Sequence, residues 1–323
     1  MPLLQVSKLK TYFYTFRGVV KAVDDVSLEL EKGIALGLMG ESGCGKSTLA
    51  YSIMKIVPPP GRIVEGRISL GDIDITKLNE SQMRERIRWK RISMVFQGAM
   101  NALTPVYTIG RQITEALTNH TNMSKKEALG RTKQLLELVG LEPEMTTRYP
   151  HELSGGQKQR AFIAMALTLN PDILIADEPT TALDVVVQAQ FLNLRKRLVR
   201  DLKMSLILIT HDLSVIAEMV DEAIVMYAGK IAEKGPSEEI YWKPAHPYTQ
   251  GLLQSVPRLK TPTQIQWIEG LPPDLVNPPP ACRFHPRCKY AMDICRKKDP
   301  LETRIGPDHY ASCWLYSPLS DSK

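Results

Sequence analysis

The stretch Leu36–Leu49, LGLMGESGCGKSTL, constrains this chain more than any other. A short apolar run, Ile34–Met39, ends at Gly40. Gly43 and Gly45 follow, and Lys46-Ser47-Thr48 open a segment of helix-forming residues. The pattern is Gly-x4-Gly-Lys-Ser, in the strand–loop–helix setting that a phosphate-binding loop requires. Glycines leave no β-carbon in the way, so the successive N–H groups of Gly40, Glu41, Ser42, Gly43, Cys44 and Gly45 can curl around phosphate oxygens. The helix opened by Lys46, Ser47 and Thr48 adds unpaired N–H groups and partial positive charge. Lys46 is placed to reach the β- and γ-phosphates, and Ser47 to ligate Mg²⁺. The loop points to a nucleotide without choosing among ATPases, GTPases and kinases.

A chain of 323 residues is long for one domain and suits a large domain with an appendage. Its 43% hydrophobic and 24% charged residues are enough for an ordinary folded core. The net charge of +6 is mildly basic. Nucleic-acid binders concentrate such charge in a patch, and the one dense run, Arg84–Arg91 (RERIRWKR), reads as a solvated helix face. No nucleic-acid partner is therefore expected. The opening MPLLQVSKLK lacks the apolar core of a signal peptide. Nor is there an apolar run of about 18 residues to span a bilayer. The expectation is a chain that stays on the cytoplasmic side.

Leu3–Lys10 and Val26–Leu30 alternate like half-buried strands, with the aromatic cluster Tyr12, Phe13, Tyr14 and Phe16 between them. Gly66–Ile75 predicts a hairpin turning at Gly71-Asp72. Ile92–Phe96 predicts a short buried strand that delivers Gln97 to its end. From Val106 to Gly140 the pattern is helical, and Ser154 reads as the N-cap of a helix running through Ala161–Leu169. Ile173–Ala176, closed by Asp177-Glu178, has the continuous apolar profile of a parallel strand buried on both faces. A helix over Val185–Leu202 leads to a second such strand, Leu206–Thr210, and then to His211. Ala223–Tyr227 and Lys230–Glu233 predict a closing hairpin at Ala228-Gly229. Strand–helix–strand alternation predicts an α/β sheet with its site at the carboxyl ends of the strands. After Gly235 the composition changes. Leu271–Pro280 holds five prolines in ten residues, and Cys282, Cys288, Cys295 and Cys313 crowd into the last stretch. A linker-tethered C-terminal module is expected.

Four polar residues at strand ends turn a nucleotide loop into a hydrolytic site. Asp177 can hold Mg²⁺ through water, and Glu178 can orient or deprotonate the attacking water. Gln97 and His211 can each reach a γ-phosphate or its water from a strand end.

In order along the chain stand the glycine loop, Gln97, Leu153-Ser154-Gly155-Gly156-Gln157, Asp177-Glu178-Pro179, Ala182-Leu183-Asp184 and His211. That series resembles the ABC-transporter ATPases from Leu3 to Gly235, and LSGGQ is its specific part. The resemblance implies an α/β P-loop domain over 1–235. An antiparallel β subdomain and a helical subdomain at about 100–155, the part that touches membrane subunits, belong to it. It also implies head-to-tail pairs, in which Ser154 and Gly156 act on ATP held by a second ATPase subunit, identical or not. Gln97 joins Ser47 and Asp177 at Mg²⁺, and Phe13 stacks on adenine, with Tyr12 as the alternative.

A closer likeness lies in FQGAMNALTPVYTIG, IAMAL, DEPTTALDVVVQAQ, THDLSVIAE, VMYAGKIAEKG, HPYTQGLL and FHPRC. Together these are similar to the ATPase subunits of oligopeptide/dipeptide importers, over nearly the whole chain. The resemblance implies an ATP hydrolase that energises peptide import from the cytoplasmic face of the cell membrane. Its expected partners are two transmembrane permeases and an extracytoplasmic solute-binding protein. Relatives of the group also import oligosaccharides or nickel, so the solute stays open, and a non-transport ABC ATPase is the further alternative.

Four clustered cysteines in a cytosolic chain argue for metal rather than disulfides. The spacing Cys-x5-Cys-x6-Cys-x17-Cys separates neither zinc from iron–sulfur. Only the resemblance leans to a [4Fe–4S] cluster on Cys282, Cys288, Cys295 and Cys313, within a small C-terminal extension over 236–323. His285 reads as a neighbour of these ligands, and Cys44 is assigned no redox role. An iron–sulfur sensor that only binds ATP is a rival reading; Glu178 argues against it, because a sensor needs no catalytic base.

Overall fold

The computed structural model describes residues 1–98, 102–179, 198–199, 203–211, 218–255 and 267–317. It divides into two units: residues 1–30, 36–77 and 210–323 in the first, and 31–35 with 78–209 in the second.

The first unit opens with a long hairpin, β1 (Leu4–Thr15) and β2 (Gly18–Leu30). Leu4 and Val6 on β1 and Val26, Leu28 and Leu30 on β2 are buried, as their alternation dictates, and Leu9 rejoins that face after a register shift at Lys8, φ 46°. β1 runs further than expected and carries Tyr12, Phe13 and Tyr14 within it. After β3 (Ala35–Met39) and α1 (Lys46–Ile53), β4 (Gly61–Leu70) and β5 (Ile73–Asp74) complete an antiparallel sheet of order β2-β1-β4-β5, turning at Gly71-Asp72.

Among its described residues the second unit holds a short helical stretch over 80–87, β6 (Ile92–Val95), three longer α-helices, and two further strands. The helices are α2 (Ile109–His120), α3 (Lys125–Leu138) and α4 (Gly155–Ala166). Thr108 caps α2, and Ser124 caps α3 with a reciprocal bond from Glu127. Ile109, Ile113 and Leu117 bury one stripe of α2, and Leu135 and Leu136 bury the facing part of α3. β7 (Ile173–Asp177) lies between β6 and β8 (Ser205–Ile209), all parallel and buried along their length. Most of the basic run is exposed, as expected of a solvated face (Arg84, Glu85, Arg86 and Lys90), and two of its arginines are paired. Arg88 bonds Glu80 at 2.5 and 3.0 Å, and Arg91 pairs with Asp172. Ala182-Leu183-Asp184 and most of the 185–202 helix lie outside the described residues.

The chain then returns to the first unit. β9 (Glu222–Tyr227) and β10 (Lys230–Pro236) form the expected hairpin, with Ala228 and Gly229 at φ 48° and 83° in its turn. Next come α5 (Ser237–Trp242), α6 (Pro247–Gln254), and a hairpin of β11 (Glu302–Gly306) and β12 (His309–Ser312). β12 pairs with β10, and β9 runs parallel to β3, so the C-terminal hairpin extends the same row of strands as the glycine-loop strand. The proline-rich stretch is irregular, as its residues require, yet it lies along β2: Lys21 N–H donates to Leu275 O at 3.0 Å. The tail is fastened to the first unit rather than hung from it.

Glu233 on β10 is one fastening. Its fully buried carboxylate accepts from the N–H groups of Ala245 (2.8 Å) and His246 (2.9 Å), and pairs with His309 Nε2 on β12 at 2.7 Å. His246 is itself buried, and its Nδ1 accepts from Tyr248 N–H at 3.0 Å, capping α6. Among the described residues no helix is long and apolar enough to cross a membrane.

Burial depresses His246 to about 4 from 6.5, with Glu233 pulling partly the other way. The unfolded chain therefore takes up this proton near pH 6.5 and the folded chain only near 4. Stability is lost as pH falls through that window, by up to about 3 kcal/mol. His246→Asn keeps a capping acceptor but has no proton to gain. Its urea midpoint should fall less than the wild-type midpoint between pH 6.5 and about 4. Equal falls would show that His246 does not carry this acid sensitivity.

Candidate functional site

The glycine loop belongs to the first unit. β3 is buried along its whole length and delivers the chain to Gly40 at φ 137°. A β-carbon at Gly40 would lie 2.2 Å from Met226 O, and one at Gly45 (φ 111°) 2.2 Å from Ala22 O. Both positions are closed to side chains by backbone, so the loop keeps its tight path only with glycine there. Lys46 opens α1 and is nearly buried. Its Nζ donates to Gly40 O (2.7 Å) and Glu41 O (2.9 Å). Ser42 is exposed, Ser47 and Thr48 are half-buried, and Cys44 is buried with its thiol pushed up by burial against the opposing pull of Lys46. His211 is exposed and follows Thr210, whose N–H donates to Leu38 O at 3.4 Å, near the carboxyl end of β3.

The loop is also held from outside, by residues the sequence reading left without a role. Tyr248 Oη accepts from Glu41 N–H at 2.7 Å. Arg287 clamps the Glu41 carboxylate with both terminal nitrogens, at 2.7 and 2.9 Å. Gly229 N–H donates to Cys44 O at 2.8 Å, and Arg283 bonds Ala228 O and Asp24 beside it. HPYTQGLL and FHPRC were the available signals as motifs, but nothing local in either shows that Tyr248 and Arg287 meet Glu41.

In the second unit, Asp177 ends β7 almost wholly buried, and Glu178 follows it half-buried. Glu178 holds a left-handed backbone, φ 49°, fixed by its N–H donating to Ile209 O at 2.8 Å. Such strain in a non-glycine residue costs about 1–3 kcal/mol and gathers at functional sites. Gln97, exposed beyond β6, donates through Nε2 to Glu178 Oε2 at 2.8 Å. The structure thus brings Gln97 and Glu178 together. Ser154 is the N-cap of α4: its hydroxyl accepts from Gln157 N–H (3.3 Å) and its N–H donates to Gln157 Oε1 (2.9 Å). Ser154 and Gly155 are exposed at that helix start, and Gly156 is buried.

The aromatic cluster sorts by contact. Tyr12 donates its hydroxyl to Asp24 at 2.5 Å and is committed there. Phe13 is half-buried over Gly61, where a β-carbon would come within 2.6 Å of its ring. Tyr14 lies under the Arg62 guanidinium at 4.1 Å. Phe16 is 98% exposed at the hairpin tip, an exposure that strand alternation does not reveal.

In the tail, Cys282, Cys288, Cys295 and Cys313 all line one small cavity, with His285 and His246 also on its wall. All four are free thiols. Burial pushes Cys282 and Cys313 up to about 11, and neighbouring thiols add to the rise. Among the described residues no three His, Cys, Asp or Glu side chains are grouped so as to hold a metal ion.

Residues 23–181 match the family described as "ABC transporter", and residues 232–295 match "Oligopeptide/dipeptide transporter, C-terminal region". The chain is 48% identical over 316 residues to the dipeptide transport ATP-binding protein DppD of Bacillus subtilis (strain 168), covering 97% of this chain and 94% of that one. It is 46% identical to the oligopeptide transport ATP-binding protein OppD of the same organism, with coverage of 98% and 89%. Among solved structures it is similar to dimeric MJ0796, a bacterial ABC transporter cassette. There the TM-score is 0.66 and the identity 28%, over 72% of this chain and 98% of that one. With the glycine loop, the Asp177-Glu178 strand end and the capped LSGGQ helix all formed, the chain belongs to the ABC-transporter ATP-binding subunits of the oligopeptide/dipeptide family, and it is an ATPase.

Proposed function

We propose that this chain hydrolyses ATP to energise a peptide importer, working at the cytoplasmic face of the membrane. One observation carries the reading: a single chain joins the ABC cassette to the oligopeptide/dipeptide tail and aligns nearly end to end with a dipeptide transport ATP-binding protein. In this reading the domain over 1–235 binds the nucleotide and the extension over 236–323 serves the importer. Two permeases, a second ATPase subunit and an external solute-binding protein complete the assembly.

The loop Gly40–Thr48 would cradle the phosphates, with Lys46 on the β- and γ-phosphates. Ser47, Gln97 and Asp177 would hold Mg²⁺, which neutralises phosphate charge when bound. Their donor set suits it, being a hydroxyl, an amide oxygen and a carboxylate, all hard oxygen ligands. Glu178 is the general base, and the bond from Gln97 supports it by holding the carboxylate in one orientation. His211 would reach the γ-phosphate. Ser154 and Gly156 would meet the ATP of the second subunit, a role supported by the exposed Ser154 cap at a helix N-terminus. The adenine would stack on Phe13 or on Phe16, and the exposure of Phe16 favours the latter.

We also propose that the four tail cysteines hold a [4Fe–4S] cluster of structural role. A shared cavity lined by four free thiols supports a sulfur-ligated group. Zinc is the alternative occupant, and metal content separates the two.

Glu178→Gln in the assembled transporter should retain ATP binding and lower turnover at least about a hundredfold. Turnover near the wild-type rate would remove Glu178 from its role. Protein purified without oxygen should contain about four irons per chain, and Cys288→Ser should lose them. Iron-free protein, or protein with one zinc, would overturn the cluster.

A further inference from the structure

The tail motifs HPYTQGLL and FHPRC share a target that the proposed function leaves unexplained. Tyr248 of the first and Arg287 of the second both end on Glu41, the residue that follows the first glycine of the phosphate loop. Their actions differ. Tyr248 Oη takes the Glu41 N–H, while the carbonyl of that same peptide group, Gly40 O, accepts from Lys46 Nζ at 2.7 Å. In a trans peptide the N–H and C=O point in opposite directions. Holding the N–H outward on the tyrosine therefore aims the carbonyl inward at the lysine. Tyr248 has no freedom to drift: it is fully buried and packed against Tyr227 and Phe284, with ring centroids 4.6 and 5.4 Å away.

Arg287 acts on charge. A carboxylate within an anion-binding loop opposes the phosphates it is meant to receive, and Glu41 is such a carboxylate. The Arg287 guanidinium pairs both of its oxygens and is held in turn by Glu269 O at 3.0 Å and Ile268 O at 3.4 Å. The Arg287 side chain is only 7% exposed, so water screens the pair weakly. Every one of these residues lies in the first unit with the loop.

We propose that Tyr248 and Arg287 are positioning residues for nucleotide binding: Tyr248 fixes the Gly40–Glu41 peptide, and Arg287 cancels the Glu41 charge. The C-terminal extension is thereby part of the nucleotide site. The proposal rests on the loop binding ATP and goes further in assigning the tail a share of that affinity.

Titrating the full-length chain with ATP and with ADP tests it. Arg287→Leu should weaken ATP about tenfold, or 1.4 kcal/mol, and ADP by less, because ADP carries less charge. The defect should shrink as salt rises. Adding Glu41→Gln to Arg287→Leu should restore ATP affinity to within about threefold of wild type. Tyr248→Phe, which loses only the hydroxyl, should weaken ATP and ADP alike by about threefold to tenfold, as for one lost hydrogen bond. If Arg287→Leu binds ATP like wild type, the charge role is wrong. If the double variant stays as weak as Arg287→Leu, the arginine only folds the tail, and the proposal falls. Unchanged binding by Tyr248→Phe removes the peptide role. Wild-type chain that binds no ATP would overturn the nucleotide reading and this one with it.

Discussion

A loop that wraps an anion must keep most of its N–H groups unspent, so few contacts within it can hold its shape; here Lys46 supplies two, to Gly40 O and Glu41 O. The rest of its shape has to come from outside. In this chain the outside wall is backbone: Met226 O behind Gly40 and Ala22 O behind Gly45, each too close for a β-carbon. Met226 lies on β9 and Ala22 on β2, so the loop is gripped between the strand beside β3 and the first hairpin. Gly229 in the β9–β10 turn adds a hydrogen bond to Cys44 O. The elements of the first unit thus meet at one short loop, and displacing any of them would open it.

The second unit solves a different problem. The role proposed for Glu178 asks a carboxylate to reach a water and hold its direction, although Glu side chains are long and mobile. Two constraints act on Glu178. Its backbone is set in a left-handed conformation by Ile209 O, and its carboxylate is tied by Gln97 from the end of the neighbouring strand. The parallel register of β6, β7 and β8 brings those ends level, with Val95 opposite Ala176 and Asp177 opposite Ile209. Register therefore positions the chemistry, and register is set by the apolar runs Ile92–Val95, Ile173–Ala176 and Leu206–Ile209, which are buried on both faces.

Those runs are why so much was legible in the sequence. Continuous apolar segments ended by polar residues mark buried parallel strands, and Gln97 and Glu178 stand where the runs predict. Ser154 likewise announces its helix, because a capping box is a local pattern that needs no tertiary context. Non-local facts could not be read this way. Phe13 and Phe16 differ in exposure because of Gly61 and the hairpin tip, not because of their own neighbours in sequence. The proline-rich stretch lacks regular structure, as expected, but its contact with Lys21 is made across some 250 residues of chain. In the run from Arg84 to Arg91, Arg84, Glu85, Arg86 and Lys90 are exposed as expected, but the pairing of Arg88 and Arg91 was not legible because Glu80 and Asp172 lie outside the run.

The tail is fastened by apolar burial and by polar anchors together. Ile240, Tyr248, Leu253 and Phe284 are buried; beside them Glu233 hydrogen-bonds His309, Arg283 pairs with Asp24, and Arg287 with Glu41. Buried pairs of this kind add little net stability, because desolvation offsets the attraction, but losing one partner strands a charge and costs about 3–5 kcal/mol. Each of these contacts ties one residue of the tail to one partner within the first unit, so together they fix where the tail sits. Glu41, itself a residue of the phosphate loop, is one of those partners, so the seating of the tail and the setting of the loop share a contact.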